Sequence, residues 1–214
     1  QSPLFFGLLS IIYKIFPNGD LLRFVNFNIC FISIFMFYKC LKLVYKQETS
    51  LNITLVSVIL ILSPSFRSLA IWPNSINLGL LFFIISIFFY LKFNLKKYSK
   101  IKFYNSLLNI LFLSISSYIS PNYSVFVIFF TYNFFRYFNL QKISLIILFF
   151  IILSFPAVYY VFIEENYFIF NHVISAEVDN TLNFSSIANK FSIILSIIFF
   201  YFIPFLIFEK KLLI

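Results

Sequence analysis

Of the 214 residues in this chain, 62% are apolar or aromatic, only 11% are charged, and the formal net charge is +9. Soluble domains run at about 45–50% apolar and about 25% charged, so the composition excludes one, and it excludes a disordered chain as well. With a mean hydropathy of +0.98 it describes a membrane protein, in which excess cations are read first as topology and not as a nucleic-acid surface.

In chain order, Pro3 to Phe16 comes first: too short to cross a bilayer, opening on a proline suited to a first helical turn and closing before Pro17-Asn18-Gly19. Gly7, Ser10 and Lys14 make one small-or-polar stripe on it, as in a helix lying along the outer surface; the tail of a spanning helix is the alternative. The Gln1 start suggests a fragment. Apolar runs then come at 20–44, 51–68, 76–92, 103–119, 123–138, 143–163 and 190–208, seven candidate spans at roughly 20 residues each. The pair at Ser120-Pro121-Asn122 also reads as one broken helix.

The loops give the orientation. Lys39, Lys42 and Lys46, then Lys92, Lys96, Lys97, Lys100 and Lys102, then Arg136 and Lys142, then Lys210 and Lys211 all fall at alternate junctions, which the positive-inside rule makes cytoplasmic. The other junctions hold Asp20, Glu164, Glu165, Glu177 and Asp179 and face outward. The expected fold is therefore an all-α polytopic transmembrane bundle. It comprises an outer interfacial helix and loop over 1–19, six spans over 20–163, an outer loop over 164–189 and a last span over 190–208, with the C-terminus cytoplasmic. Kinks are expected at Pro156 and Pro204, which lie inside apolar runs.

Cys30 and Cys40 are ten helical residues, about 15 Å, apart, beyond disulfide reach. No Gly-rich phosphate loop, HExxH, GxSxG or paired CxxC occurs, and a lone His172 cannot build a multi-histidine metal site, so no cofactor is expected; a divalent cation has no support in the residues. The polar groups left are on the outer side: Asp20, Arg23, Arg67, Trp72, Asn74, Asn77, Asn122 and the loop from Glu164 to Lys190. Arg23 and Arg67 either snorkel to headgroups or hold an anionic ligand, and a forked guanidinium suits a lipid-linked phosphate. Glu164-Glu165 and His172 sit in the only long outer loop, either as plain loop residues or as part of a binding surface.

Ser2-Pro3-Leu4-Phe5-Phe6, then Ile15-Phe16-Pro17-Asn18-Gly19-Asp20 and Leu22-Arg23-Phe24-Val25-Asn26, resembles the "PPLYxxLLxxxxxxFG…LRxxN" passage of GT-C class membrane glycosyltransferases, in the protein O-mannosyltransferase-like and aminoarabinose-transferase-like branch. Leu62-Ser63-Pro64-Ser65-Phe66, followed by Trp72-Pro73-Asn74-Ser75 and the apolar Leu78 to Tyr90, looks like that branch's third and fourth helices around their turn. The resemblance covers residues 1 to 93. It implies an enzyme of the bacterial inner membrane that moves a sugar from a polyprenyl-phosphate donor to a glycan, lipid or protein acceptor at the outer face. It also implies an acidic catalytic base upstream of residue 1. Arg23 falls on the family's arginine and Pro3 on its second proline, whereas Asn74 or Asn77 stands where an acid is often found. Substrate contacts are therefore expected at Arg23, Arg67, Asp20, Asn74, Glu164, Glu165 and His172. The competing readings are a transporter or flippase, which predicts ionisable residues at mid-bilayer, and a non-catalytic membrane subunit.

Overall fold

A computed structural model describes residues 3–15, 17–95 and 99–162, together with Ser192 and Leu195. The chain divides into two units, Gln1–Val158 and Tyr159–Ile214. The elements of the first are α1 (Pro3–Ile15), α2 (Gly19–Val44), α3 (Ser50–Leu62), α4 (Pro64–Ile71), α5 (Ser75–Leu95), α6 (Ser99–Ile119), a 3-10 turn (Pro121–Val125), α7 (Phe126–Phe135) and α8 (Leu140–Phe162), the last running into the second unit. No strand occurs among the described residues.

Local chemistry explains the boundaries. Asn18, with extended backbone, accepts the Asp20 amide at 2.9 Å and starts α2, where Asp20 in the first turn and Lys42 in the last both favour the helix dipole. Twenty-six residues then rise about 39 Å, enough to cross a hydrocarbon core of about 30 Å. α5, with 21 residues, rises about 32 Å. These two helices are long and apolar enough to cross a membrane.

The expected span over 51–68 is not one rod. Ser63, held extended by the following proline, ends α3 and caps α4 by accepting the Phe66 amide, with Pro64 in the first turn. The two helices bend by 71° at this break. α3 alone rises only about 20 Å, so the pair is a broken span or a re-entrant loop, and counting it as one span brings the candidates among the described residues to three. The expected spans over 103–119, 123–138 and 143–163 are helical, but α6, α7 and α8 are not among the helices long and apolar enough to cross, for separate reasons. α6 carries Lys100, Lys102 and Asn105 in its first two turns, which interrupts its apolar run. The segment 123–138 forms the 3-10 turn and a ten-residue α7, with the chain turning again from Arg136. α8 contains Pro156 and remains helical to Phe162; in the turn that the proline disturbs, the Tyr118 hydroxyl of α6 donates to the Leu153 carbonyl. The expected span at 190–208 and the kink at Pro204 lie outside the described residues, apart from Ser192 and Leu195.

Small and amide side chains are buried beside an apolar core, while many large apolar side chains face outward. Phe24, Phe27, Phe31 and Phe35 form an exposed stripe on α2, while Ser33, Asn77, Ser86, Ser106, Asn109 and Ser116 are almost wholly buried. Large apolar side chains outward and small or amide side chains inward is the arrangement of helices packed in lipid, where close approach and interhelical hydrogen bonds replace hydrophobic burial. On the α5–α6 seam, Ser86 Oγ donates to the Asn109 carbonyl at 3.0 Å, and Asn109 Nδ2 returns bonds to the Ser86 carbonyl and hydroxyl at 2.9 and 2.8 Å. A turn or two further along, Ser116 Oγ donates to the Gly79 carbonyl at 2.7 Å. Beside this seam lies an aromatic core of Phe93, Phe130, Phe134 and Phe138 with Ile110, Leu113, Ile143 and Ile146. Cys30 and Cys40 are free and buried.

Candidate functional site

The site grows from the junction where α2 begins, α4 ends and α5 begins. The last carbonyls of α4 have no intrahelical partner and must find donors elsewhere. Asn26, 4% exposed on α2, supplies them: its Nδ2 lies 2.8, 2.9 and 3.0 Å from the carbonyl oxygens of Leu69, Ala70 and Trp72, so two N–H groups are shared among three acceptors. Asn77 of α5 donates to the Leu69 carbonyl as well. Behind them, Phe66 and Ala70 of α4 pack against Cys30 of α2, with Ile34 and Leu80 alongside. The end of the short helix is thus fastened to both long ones, and Trp72, the residue that caps its C-terminus, has a fixed position.

Arg23 lies one helical turn before Asn26 on α2. Its guanidinium carbon stands 4.5 Å above the centroid of Trp72, and Nη1 is 3.3 Å from Asp20 Oδ1. The Arg23 side chain is about half exposed and that of Asp20 almost fully so. An ion pair this open contributes at most about 1 kcal/mol and leaves the cation available. The indole and Asp20 hold the guanidinium from two sides, Asp20 accepting from Nη1, while the side chain stays about half exposed.

Of the residues that the sequence marks, the structure brings together Asp20, Arg23 and Trp72, with Asn77 behind them. It does not bring in Arg67. Phe66 and Ala70 face α2, and Arg67, one residue on from Phe66, is turned about 100° from that face and is exposed. Asn74 is a helix cap, its Oδ1 accepting the Ile76 amide at 2.9 Å, which accounts for its position without a ligand. Asn122 is exposed in the 3-10 turn. Glu164, Glu165 and His172 lie outside the described residues. Among the described residues no three His, Cys, Asp or Glu side chains come together.

Asn26 is the residue that sequence reasoning passes over, quoted only as the last letter of a motif. The available signal is an amide within an apolar helix, which requires a buried partner. Elsewhere, an apolar cleft of about 260 Å³ opens between α7 and α8, lined by Val127, Ile128, Thr131, Ile146, Ile147 and Phe150. Comparison with known proteins returns no match among protein-family models, curated proteins or solved structures.

Proposed function

We propose that the chain is the membrane domain of a GT-C class glycosyltransferase, which moves a sugar from a polyprenyl-phosphate donor to a glycan, lipid or protein acceptor at the outer face of a bacterial inner membrane. The observation that carries this reading is Arg23: a half-exposed guanidinium stacked on Trp72, at the end of a long apolar helix where cations are otherwise sparse. Cleaving a sugar from a lipid phosphate builds negative charge on the leaving phosphate, and a preorganised cation at that point lowers the barrier. Arg23 takes this role, Trp72 orients its plane, and Asn26 holds the α4 end that carries Trp72. The Arg and Asn of the LRxxN passage both reach the end of α4, Arg23 through the Trp72 ring and Asn26 through the carbonyls of Leu69, Ala70 and Trp72, which supports this reading.

The test is sugar transfer from a polyprenyl-phosphate donor, measured in membranes of cells carrying the complete reading frame. Arg23→Ala is expected to lower turnover by about 10²–10³-fold and Arg23→Lys by less, since a lysine keeps the charge and loses the fork. Wild-type turnover in the alanine variant at equal protein level removes Arg23 from the mechanism.

A further inference from the structure

The contact between Arg23 and Asp20 is loose. Arg23 Nη1 stands 3.3 Å from Asp20 Oδ1, a single-point contact longer than the about 2.7–2.9 Å of a tight charge-assisted bond, and the Asp20 side chain is 85% exposed. A phosphate that presents two oxygens to the guanidinium displaces one such oxygen, because a forked pair of bonds replaces a single long one. The carboxylate then yields its bond but not its place. Asp20 sits in the first turn of α2, where its amide donates to Asn18 Oδ1 at 2.9 Å, and Arg23 follows three positions later, about 4.5 Å of helical rise. Arg23 is backed by Trp72, whose carbonyl accepts from Asn26 at 3.0 Å. Any anion that Arg23 takes therefore has a carboxylate within about one helical turn.

That neighbour weighs differently on different phosphates. A sugar linked to a prenyl chain through one phosphate is a phosphodiester with one negative charge. Transfer breaks the bond between the sugar C1 and the phosphate oxygen, joins C1 to the acceptor oxygen and passes the acceptor's proton to a base. The phosphate leaves as a monoester, whose second ionisation lies near pH 6 and which carries close to two negative charges at pH 8. At about 5 Å in high dielectric, one further unit of charge changes affinity about fourfold. A lone arginine thus holds the dianionic product more tightly than the monoanionic donor, and a carboxylate beside it acts in the opposite sense by a similar factor.

We infer that Asp20 sets the charge selectivity of the Arg23 site, cancelling the preference that an arginine alone has for the phosphomonoester that leaves over the phosphodiester that enters. This rests on the reading of Arg23 as the group that meets the lipid phosphate, and it makes Asp20 a specificity-determining residue that favours release of product.

The probes are farnesyl phosphate and its methyl ester, which share one chain and differ by one charge at pH 8. Each is titrated into the full chain in neutral detergent at low salt, and binding is read from the emission of Trp72, the only tryptophan. In Asp20→Asn both are expected to bind more tightly, the monoester by about fourfold more than the diester. Comparing the same two ligands in two proteins cancels their partition into the micelle, so the change in their ratio is the readout. The Asn18 cap uses the Asp20 amide and not its side chain, so the substitution leaves that bond at the start of α2 in place. Asp20→Glu, which keeps the charge, is expected to retain the wild-type ratio, and so is Glu48→Gln, which removes an acid from the turn between α2 and α3. An unchanged ratio in Asp20→Asn, or an equal change in Glu48→Gln, overturns the role of Asp20 and leaves phosphate capture by Arg23 standing. If neither ligand alters Trp72 emission in the wild type, phosphate capture by Arg23 falls and the role of Asp20 falls with it.

Discussion

The side-chain nitrogen of Asn26 sits 2.8 Å from the carbonyl oxygen of Leu69, a contact between residues 43 apart in sequence that ties the end of a short helix to a long one. Removing the donor by Asn26→Leu leaves the carbonyls of Ala70 and Trp72 without this partner, at about 1–3 kcal/mol. Asn26→Asp at neutral pH is expected to be worse, because it turns a charged acceptor toward three acceptors. Thermal loss of helical circular dichroism in detergent should rank wild type above the leucine variant and the leucine variant above the aspartate one. Melting curves that superimpose would mean that the α4 end is held by something else.

How far this junction is legible in sequence depends on whether its cause is local. The starts of α2 and α5 follow from Asn18 and Asn74, whose caps act within two residues. The break at Ser63-Pro64 is harder to see because apolar residues continue beyond it, through Phe66 and Leu69, so hydropathy reads straight across the bend. Arg67 misleads for a related reason: its spacing resembles that of Arg23, yet the facing of α4 is set by Phe66 and Ala70. The partners of Asn26, Asn77 and Asn109 are tertiary, and in a chain rich in Asn no single amide stands out until its acceptor is known.

Gly79 allows a close approach between α5 and the chain after α6. A Cβ placed there would lie 3.0 Å from Ser120 Cβ and 3.1 Å from Tyr123 Cε2. Gly79→Ala is expected to cost about 1–3 kcal/mol through overpacking, although an alanine is the better helix former. Adding Ser120→Gly opens the space and should restore part of the loss, so the two changes are non-additive in a double-mutant cycle of thermal stability. Strict additivity would place the two residues out of contact.

Asn109 is fully buried, its Nδ2 bonded to Ser86 and its Oδ1 without a partner among the described residues. Asn109→Asp keeps the shape and puts a carboxyl in that position. Burial disfavours the charged form, so the carboxyl of the folded variant titrates above its unfolded value of about 3.9. A raised folded pKa means that the folded state holds the proton more tightly: the variant is most stable below about pH 4 and loses stability as the pH rises. Asn109→Leu removes the same bonds without a charge and should show a pH-independent loss of about 1 kcal/mol, the typical scale of one interhelical hydrogen bond in a membrane bundle. Unfolding midpoints compared at pH 4 and pH 8 check both, and a flat profile for the aspartate variant would contradict the burial of this position.

Trp72 is the only tryptophan in the chain and is 61% exposed, so its fluorescence reports directly on the Arg23 site. A guanidinium 4.5 Å from the ring concentrates anions beside it, and iodide should therefore quench Trp72 faster than its exposure alone implies. In Arg23→Gln the iodide quenching constant is expected to fall on the order of two- to fourfold at low salt, with quenching by neutral acrylamide unchanged. Raising the ionic strength should erase the difference, because added anions screen the same charge. A polyprenyl phosphate bound at Arg23 should protect Trp72 from iodide in the wild type and not in the variant, which separates phosphate capture at this residue from insertion of the lipid tail elsewhere. Equal iodide quenching in the two proteins would place the guanidinium away from the indole and would remove the stacked geometry on which phosphate capture by Arg23 depends.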